Sequence, residues 1–411
     1  MDTSQDVEEA IDELQDRLRR YPADRYPIQH ATAQFHLGNV LADRGQLEQA
    51  EAALRRSAAL FDRSTLPVEH GKARNSLGAV LRLLGRTAEA SDEFAAARSL
   101  FEQAGRELEL AAALFNLGLV QRQQGRDDEA VRAFRRAQEI FESHKLPSQT
   151  GAAARELGAA LFVRGELDQA WTAFEKALEL AGRAGDQFAE GAAANGLGLI
   201  ELARGEPARA VEHFRAAAAA HPRSFRPAEY AMAKANLALA YEGIGEAARA
   251  RLASRQALGA SSVPDSVHEQ ATATLGRLGR AAGGLAAVLE SEPLDRWIAV
   301  VREEVVRWAD AGPGEQLDEA RDWVAGELRR PVHGGEMAEA WLGALLELPP
   351  SAMEALIRAG LRAVAERPRH QRQRLRDDLR MAMARFHVPQ LMRLRDTFNR
   401  LAAELGLEPW W

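Results

Sequence analysis

His30 and His70 stand forty residues apart, and two histidines on facing helices are the smallest beginning of a divalent-metal site. No carboxylate cluster accompanies them in sequence, so the pair reads as structural. Arg369, Arg372, Arg376 and Arg380 follow one another at helical spacing, opposite Leu375, Leu379, Ala382 and Phe386. Such a stripe could meet an acidic partner or a phosphate backbone. Asp377, Asp378 and Asp396 lie nearby, however, and favour a solvated helix face with internal pairing. The chain has no cysteine, which removes disulfides, thiolate metal sites and cysteine nucleophiles together. No G-x-x-x-x-G-K-[ST], H-E-x-x-H or G-x-S-x-G segment occurs. The expectation is a non-enzymatic chain with no catalytic residues, no metal and no cofactor.

The 411 residues suffice for two or three domains. Apolar runs are short and broken by Arg or Glu, so none spans a bilayer. The acidic start, Asp2 to Glu9, lacks an apolar stretch and does not read as a signal peptide. These features point to a soluble, cytoplasmic protein without a membrane partner. A net charge of −7 favours solubility and argues against a globally basic nucleic-acid binder. Arginine outnumbers lysine 49 to 4, which reads as the codon bias of a GC-rich, bacterial genome. Abundant Ala and Leu with few β-branched runs predict an all-α fold.

The elements that must carry these side chains are visible as a repeat. Leu-Gly recurs at 37–38, 77–78, 117–118, 157–158 and 197–198, with Leu237-Ala238 as a sixth copy. Gly45, Gly85, Gly125, Gly165, Gly205 and Gly245 follow at the same 40-residue period, then Ala50, Ala90, Ala130, Ala170, Ala210 and Ala250. Leu54, Phe94, Phe134, Phe174 and Phe214 come next, and small residues follow from Ser57 to Ala257. Ala33, Ala73, Ala113, Ala153, Ala193 and Ala233 permit close helix approach. The second glycine ends the first helix of each unit, where positive φ is cheap. In the second helix, Ala130, Phe134, Ala137 and Phe141 line one face. Each unit is therefore a helix–turn–helix hairpin that must stack on its neighbours to bury that face. Pro67, Gly105, Pro147, Gly185, Pro222 with Pro227, and Pro264 punctuate the connections.

The order Leu-Gly, Gly, Ala, Phe, Ala resembles the tetratricopeptide repeat (TPR). The 40-residue period, against the standard 34, is similar to the extended repeats of Pins/LGN-type adaptors and kinesin light chains. The resemblance covers roughly residues 7–290 and implies a right-handed superhelical solenoid. Residues 1–25 would form a capping helix in register with the second helices, 26–261 six hairpins, and 262–291 a degenerate seventh repeat carrying Gly276 and Gly283. The resemblance also implies a concave groove lined by first helices. At its groove offsets stand His36, Asn39, Lys72, Asn75, Arg82, Asn116, Arg122, Arg155, Asn195 and Asn236. An asparagine amide offers one donor and one acceptor face to a peptide unit, which suits the clamping of an extended segment. Phe35, Ser76 and Ala112 occupy the offsets where a carboxylate clamp would need Lys, Asn or Arg, so a free C-terminal carboxylate is not specified. Ala159, Phe162, Leu199, Leu202 and Leu239 make the later offsets apolar, so the groove should be polar and basic early and greasier late. The implied function is a scaffold or adaptor for an extended or helical peptide segment of another protein. A ligand- or peptide-sensing regulatory receptor is the alternative, and binding of nucleic acid or an acidic partner through the Arg stripe is a weaker one.

Past residue 291 the period ends but helical patterning continues. Trp297, Val301, Val305 and Trp308 share a face, and further helices are expected at 315–329, 336–347, 351–366, 369–386 and 389–405, with Pro313, Pro331, Pro349, Pro350, Pro368 and Pro389 between them. Six of the seven tryptophans lie here, at 297, 308, 323, 341, 410 and 411. Residues 292–411 read as a separate α-helical domain, a candidate for a second contact or for homo-oligomer formation. The Glu-Pro-Trp-Trp tail should pack back on it, since two tryptophans are costly to leave in water.

Overall fold

The computed structural model describes residues 3–63, 65–279, 284–330 and 332–410, without the side chains of 3–7, 62 and 63. Gly283, Pro331 and Trp411 lie outside the described residues. Every regular element among those described is an α-helix, and none is long and apolar enough to cross a membrane. The chain divides into two compact units, residues 1–200 and 201–411. That division falls within the repeat array, and the second unit combines the last repeats with the helices that follow them.

In the first unit α1 (Thr3–Arg20) packs on α2 (Pro27–Asp43), which pairs with α3 (Leu47–Arg63). The same hairpin recurs as α4 (Pro67–Leu83) with α5 (Thr87–Gln103), α6 (Glu107–Gln123) with α7 (Asp127–Ser143), and α8 (Pro147–Val163) with α9 (Leu167–Ala184). α10 (Gln187–Ala203) crosses into the second unit. Prolines 27, 67 and 147 occupy the first helical turn, where their missing N–H costs nothing.

The repeated pattern has a steric cause. A Cβ added at Gly38 would lie 2.6 Å from Leu54 Cγ, and one added at Gly78 would lie 2.8 Å from the Phe94 ring. Gly118 and Gly158 stand in the same relation to Phe134 and Phe174, at 2.7 and 3.0 Å. The Leu-Gly glycine is thus the seat of the large residue on the partner helix. Ser57, where later repeats have Ala97, Ala137 and Ala177, is buried because its hydroxyl donates to the Ala31 carbonyl at 2.9 Å. Between hairpins the chain needs a left-handed residue at a 40-residue period. Gly105 and Gly185 supply it freely, while Thr65 and Lys145 adopt φ of 58° and 57° at a steric cost.

The second unit continues with α11 (Pro207–Ala220), the hairpin of α12 (Pro227–Gly243) and α13 (Ala247–Leu258), and α14 (Asp265–Leu278). A short α15 (Leu285–Leu289) precedes α16 (Leu294–Asp310), α17 (Pro313–Arg329), α18 (Gly334–Leu346), α19 (Pro350–Ala365), α20 (Arg369–Met383) and α21 (Val388–Glu404). Their bounds follow the helices expected from the periodicity to within a few residues. One core holds Trp297, Trp308, Trp323, Trp341 and Trp410 and extends to Leu252 on α13.

Buried charges join α13 to α16 and α17. Arg307 bonds Glu304 at 3.1 Å, Glu315 at 2.9 Å and Glu319 at 2.6 Å, and Glu319 also accepts from Arg255 at 2.6 Å. Burial pushes Glu304 above the usual carboxylate range, partly offset by Arg307.

Four substitutions test this reading. Gly78→Ala should cost about 1–3 kcal/mol through overpacking against Phe94. Gly85→Ala, whose Cβ meets nothing, should cost about 1–2 kcal/mol through its backbone alone, and Lys145→Gly should raise the melting temperature. Arg307→Met should cost about 3–5 kcal/mol, chiefly by leaving the buried Glu304 without its guanidinium partner while Glu319 keeps Arg255. Denaturant melts followed by tryptophan fluorescence read that loss in the second unit.

Candidate functional site

The expected groove residues occupy the first helices, and their surroundings differ along the array. In the first unit His36 is exposed, and Asn39, Lys72, Asn75, Arg82, Asn116, Arg122 and Arg155 are half-buried. Asn195 is 7% exposed and, in the second unit, Asn236 is 6% exposed, accepting from Gln270 at 3.1 Å.

Adjacent first helices link these side chains. Asn116 on α6 donates to the Asn75 carbonyl oxygen on α4 at 3.2 Å, leaving one amide hydrogen of Asn116 and the amide group of Asn75 for other partners. Lys72 on α4 lies 3.9 Å from Glu109 on α6, whose carboxylate is held below its usual range chiefly by a bond from Arg106. On the next seam Glu156 of α8 accepts from Arg122 and from Arg155, each at 3.0 Å. One carboxylate thus holds two guanidinium groups side by side. Arg82 makes no ion pair among the described residues.

Apolar surface interleaves with these polar groups. Leu83 and Val163, both at the ends of first helices, are 56% and 64% exposed, and Ala159, Phe162 and Leu199 are half-exposed. Arg155 also lies over the Phe188 ring at 5.9 Å, beside a recess of about 220 Å3 floored by Gly151, Ala152, Ala177 and Ala181. His36 borders a larger recess of about 550 Å3 between α1 and α2, with Glu13, Asp16, Arg17 and Arg20 on its α1 side. Sequence periodicity could not find these recesses, because they depend on which residues meet across helices.

The two histidines do not form a site together. His30 Nδ1 bonds the Tyr21 carbonyl at 2.8 Å, while His70 Nε2 accepts from Arg74 at 2.8 Å. No group of three or more His, Asp or Glu among the described residues could hold a metal ion.

The arginine stripe lies on α20, with Leu375, Leu379 and Ala382 buried behind it. Half of the stripe grips the tail. Arg376 lies over the Trp410 ring at 5.4 Å, and Arg380 donates to the Trp410 carbonyl at 3.1 Å. The Trp410 N–H donates to Asn399 at 3.0 Å, and the ring is 6% exposed. Trp410 therefore packs back, as its cost in water requires, while Trp411 lies outside the described residues. Arg369 and Arg372 have no ion pair among the described residues and border a recess of about 250 Å3 with Glu408.

One further constellation had no sequence signal. Within the second unit a recess of about 440 Å3 is walled by α11, α12, α13 and α16. Lys234 pairs with Glu303 at 2.7 Å, Arg249 with Glu292 at 3.0 Å, and Arg215 donates to the Tyr241 hydroxyl at 2.9 Å. Tyr230 also bonds Glu303. The partners lie up to 73 positions apart, beyond any spacing rule.

Residues 69–143 and 149–223 match the tetratricopeptide repeat family. The hairpins within these two segments are therefore tetratricopeptide repeats, and the helices before and after them continue the same 40-residue pattern. No curated protein matches the chain. Similar solved structures include a tetratricopeptide repeat protein from Parabacteroides merdae, with 17% identity over 66% of this chain and 93% of that one, at a TM-score of 0.46. BtubC (BKLC) from P. vanneervenii is 19% identical over 52% and 87% of the two chains, at 0.43. YrrB, a TPR protein described as having an unusual peptide-binding site, is 21% identical over 51% and 92%, at 0.38.

The Asn75–Asn116 bond is open to measurement. A double-mutant cycle to alanine should give a coupling of about 0.5–1.5 kcal/mol. A coupling of zero would mean that water holds both amides instead.

Proposed function

We propose that the chain is an adaptor whose first-helix face, within residues 26–200, takes an extended or helical segment of a partner protein. The observation that carries this reading is the row of half-exposed polar side chains on α4, α6 and α8, spaced by apolar ones. Hairpin packing consumes the small residues and leaves Lys72, Asn75, Arg82, Asn116, Arg122 and Arg155 at the surface. Amide groups with spare donors suit a peptide backbone. Leu83, Val163 and the alanine-floored recess suit apolar side chains. Arg82, together with Arg122 and Arg155 held beside Glu156, favours a segment carrying acidic as well as apolar residues. Asn39 and His36 extend this surface on α2. Asn195 and Asn236 are too buried to contribute first contacts.

A second reading rests on Arg369 and Arg372, which border their recess without ion pairs among the described residues and suit an acidic partner. Affinity purification with partner identification separates the two. A partner captured by the wild type should be lost, at least tenfold, with Arg82→Ala/Asn116→Ala/Arg122→Ala and retained with Arg369→Ala/Arg372→Ala. Unchanged recovery with the triple variant would sink the groove reading, and loss only with the second pair would transfer the function to α20.

A further inference from the structure

The recess of about 440 Å3 in the second unit is walled by one face of each of several helices. On α16, Arg296, Ala299, Val300 and Glu303 stand at helical spacing, and on α12 so do Lys234, Leu237 and Tyr241. α13 adds Arg249, Leu252 and Ala253, and α11 adds Arg215. Small-molecule sites occupy roughly 300–1,000 Å3, and this recess falls in that range.

Charge is unevenly spread along it. At one end Arg215 and Arg249 both lie against the Tyr241 ring, 5.7 and 5.8 Å from its centre. Glu292 reaches both, at 3.0 Å from Arg249 and 3.8 Å from Arg215. Arg296, in the first turn of α16, is exposed and has no ion pair among the described residues. Of the lining carboxylates, Glu292 alone thus serves three arginines; Glu212 and Glu246 touch Arg215 and Arg249 at 3.4 and 3.9 Å from outside the recess. The Nε–H of Arg249 is buried and meets no acceptor among the described residues. At the other end Glu303 neutralises Lys234 at 2.7 Å and also bonds Tyr230. Arg296 and Glu303 are separated along α16 by about 10 Å, at 1.5 Å per residue.

We propose that this recess binds an amphiphilic organic anion, a carboxylate carrying an aliphatic chain, with its head at Arg215, Arg249 and Arg296. A carboxylate offers acceptors only, which is what guanidinium groups with spare N–H donors lack here. A cation would be repelled by the arginines, and both lining carboxylates are already engaged. The chain runs from the arginine end toward Glu303, past Leu237, Leu252, Ala253 and Val300, and leaves water as it does so. Octanoate, whose extended length is close to the distance from Arg296 to Glu303, is the matching probe.

This site is independent of the first-helix face within residues 26–200, so each can fail without the other. Calorimetric titration of the full chain with sodium octanoate tests it, beside sodium acetate and 1-octanol. Saturable binding of octanoate is expected. Acetate has the head without the chain and octanol the chain without the charge, so each should bind at least tenfold more weakly. Arg296→Ala and Ala299→Trp change exposed residues, and both should melt with the wild type. Each should weaken octanoate at least tenfold, the first by removing a charge and the second by filling the recess. No saturable response, equal binding of acetate or octanol, or unchanged octanoate binding by either folded variant would each overturn the proposal.

Discussion

The contact on which the array depends is that of one large side chain on one missing Cβ. Leu54, Phe94, Phe134 and Phe174 each rest where a side chain on Gly38, Gly78, Gly118 or Gly158 would stand. That contact sets the distance between the two helices of a hairpin. The neighbouring alanines follow from it: Ala73, Ala113 and Ala153 are fully buried, as are Ala90, Ala130 and Ala170 on the second helices. With helices this close, nothing larger fits between them, so these four hairpins keep the glycine, whereas the sixth unit has Ala238 with the smaller Ser254 at the position of the large residue.

The same economy creates the surface. Because small residues satisfy the packing, the long polar side chains of α4, α6 and α8 are free of structural duty in the core and meet across helices instead. Glu156 shows the consequence, since its single carboxylate organises Arg122 and Arg155 into a fixed pair. A surface ordered in this way loses less side-chain entropy on meeting a partner than one of independently moving arginines.

The second unit follows a different logic. Its core is built from tryptophans and buried charge rather than alanine and phenylalanine. Arg307, Glu304, Glu319 and Arg255 tie α13 to α16 and α17, and Lys234 with Glu303 does the same between α12 and α16. Buried pairs of this kind contribute little net stability but penalise any arrangement that separates them. They account for a compact unit that begins inside the repeats, although the composition changes only near residue 291.

Much of the fold was legible in the sequence. The period of 40, the turn glycines and the later helices could be read because helix signals are local. The stretch from 262 to 291 was harder, since α14 and the short α15 depart from the repeat. The candidate surface was legible only as positions. Offsets named Asn75 and Asn116 but not the bond between them, and they placed Asn195 and Asn236 beside the others although both are buried. His30 and His70 share a register yet bond to Tyr21 and Arg74, because a side chain takes the nearest partner that geometry offers. By itself, then, the sequence determined which residues are helical, which faces are apolar and where the hairpins turn, since those depend on neighbours three or four positions away. Tertiary structure alone decided which charges are paired, which amides remain available, and that Glu327 lines one cavity with four tryptophans, because burial and pairing depend on residues brought together from distant parts of the chain.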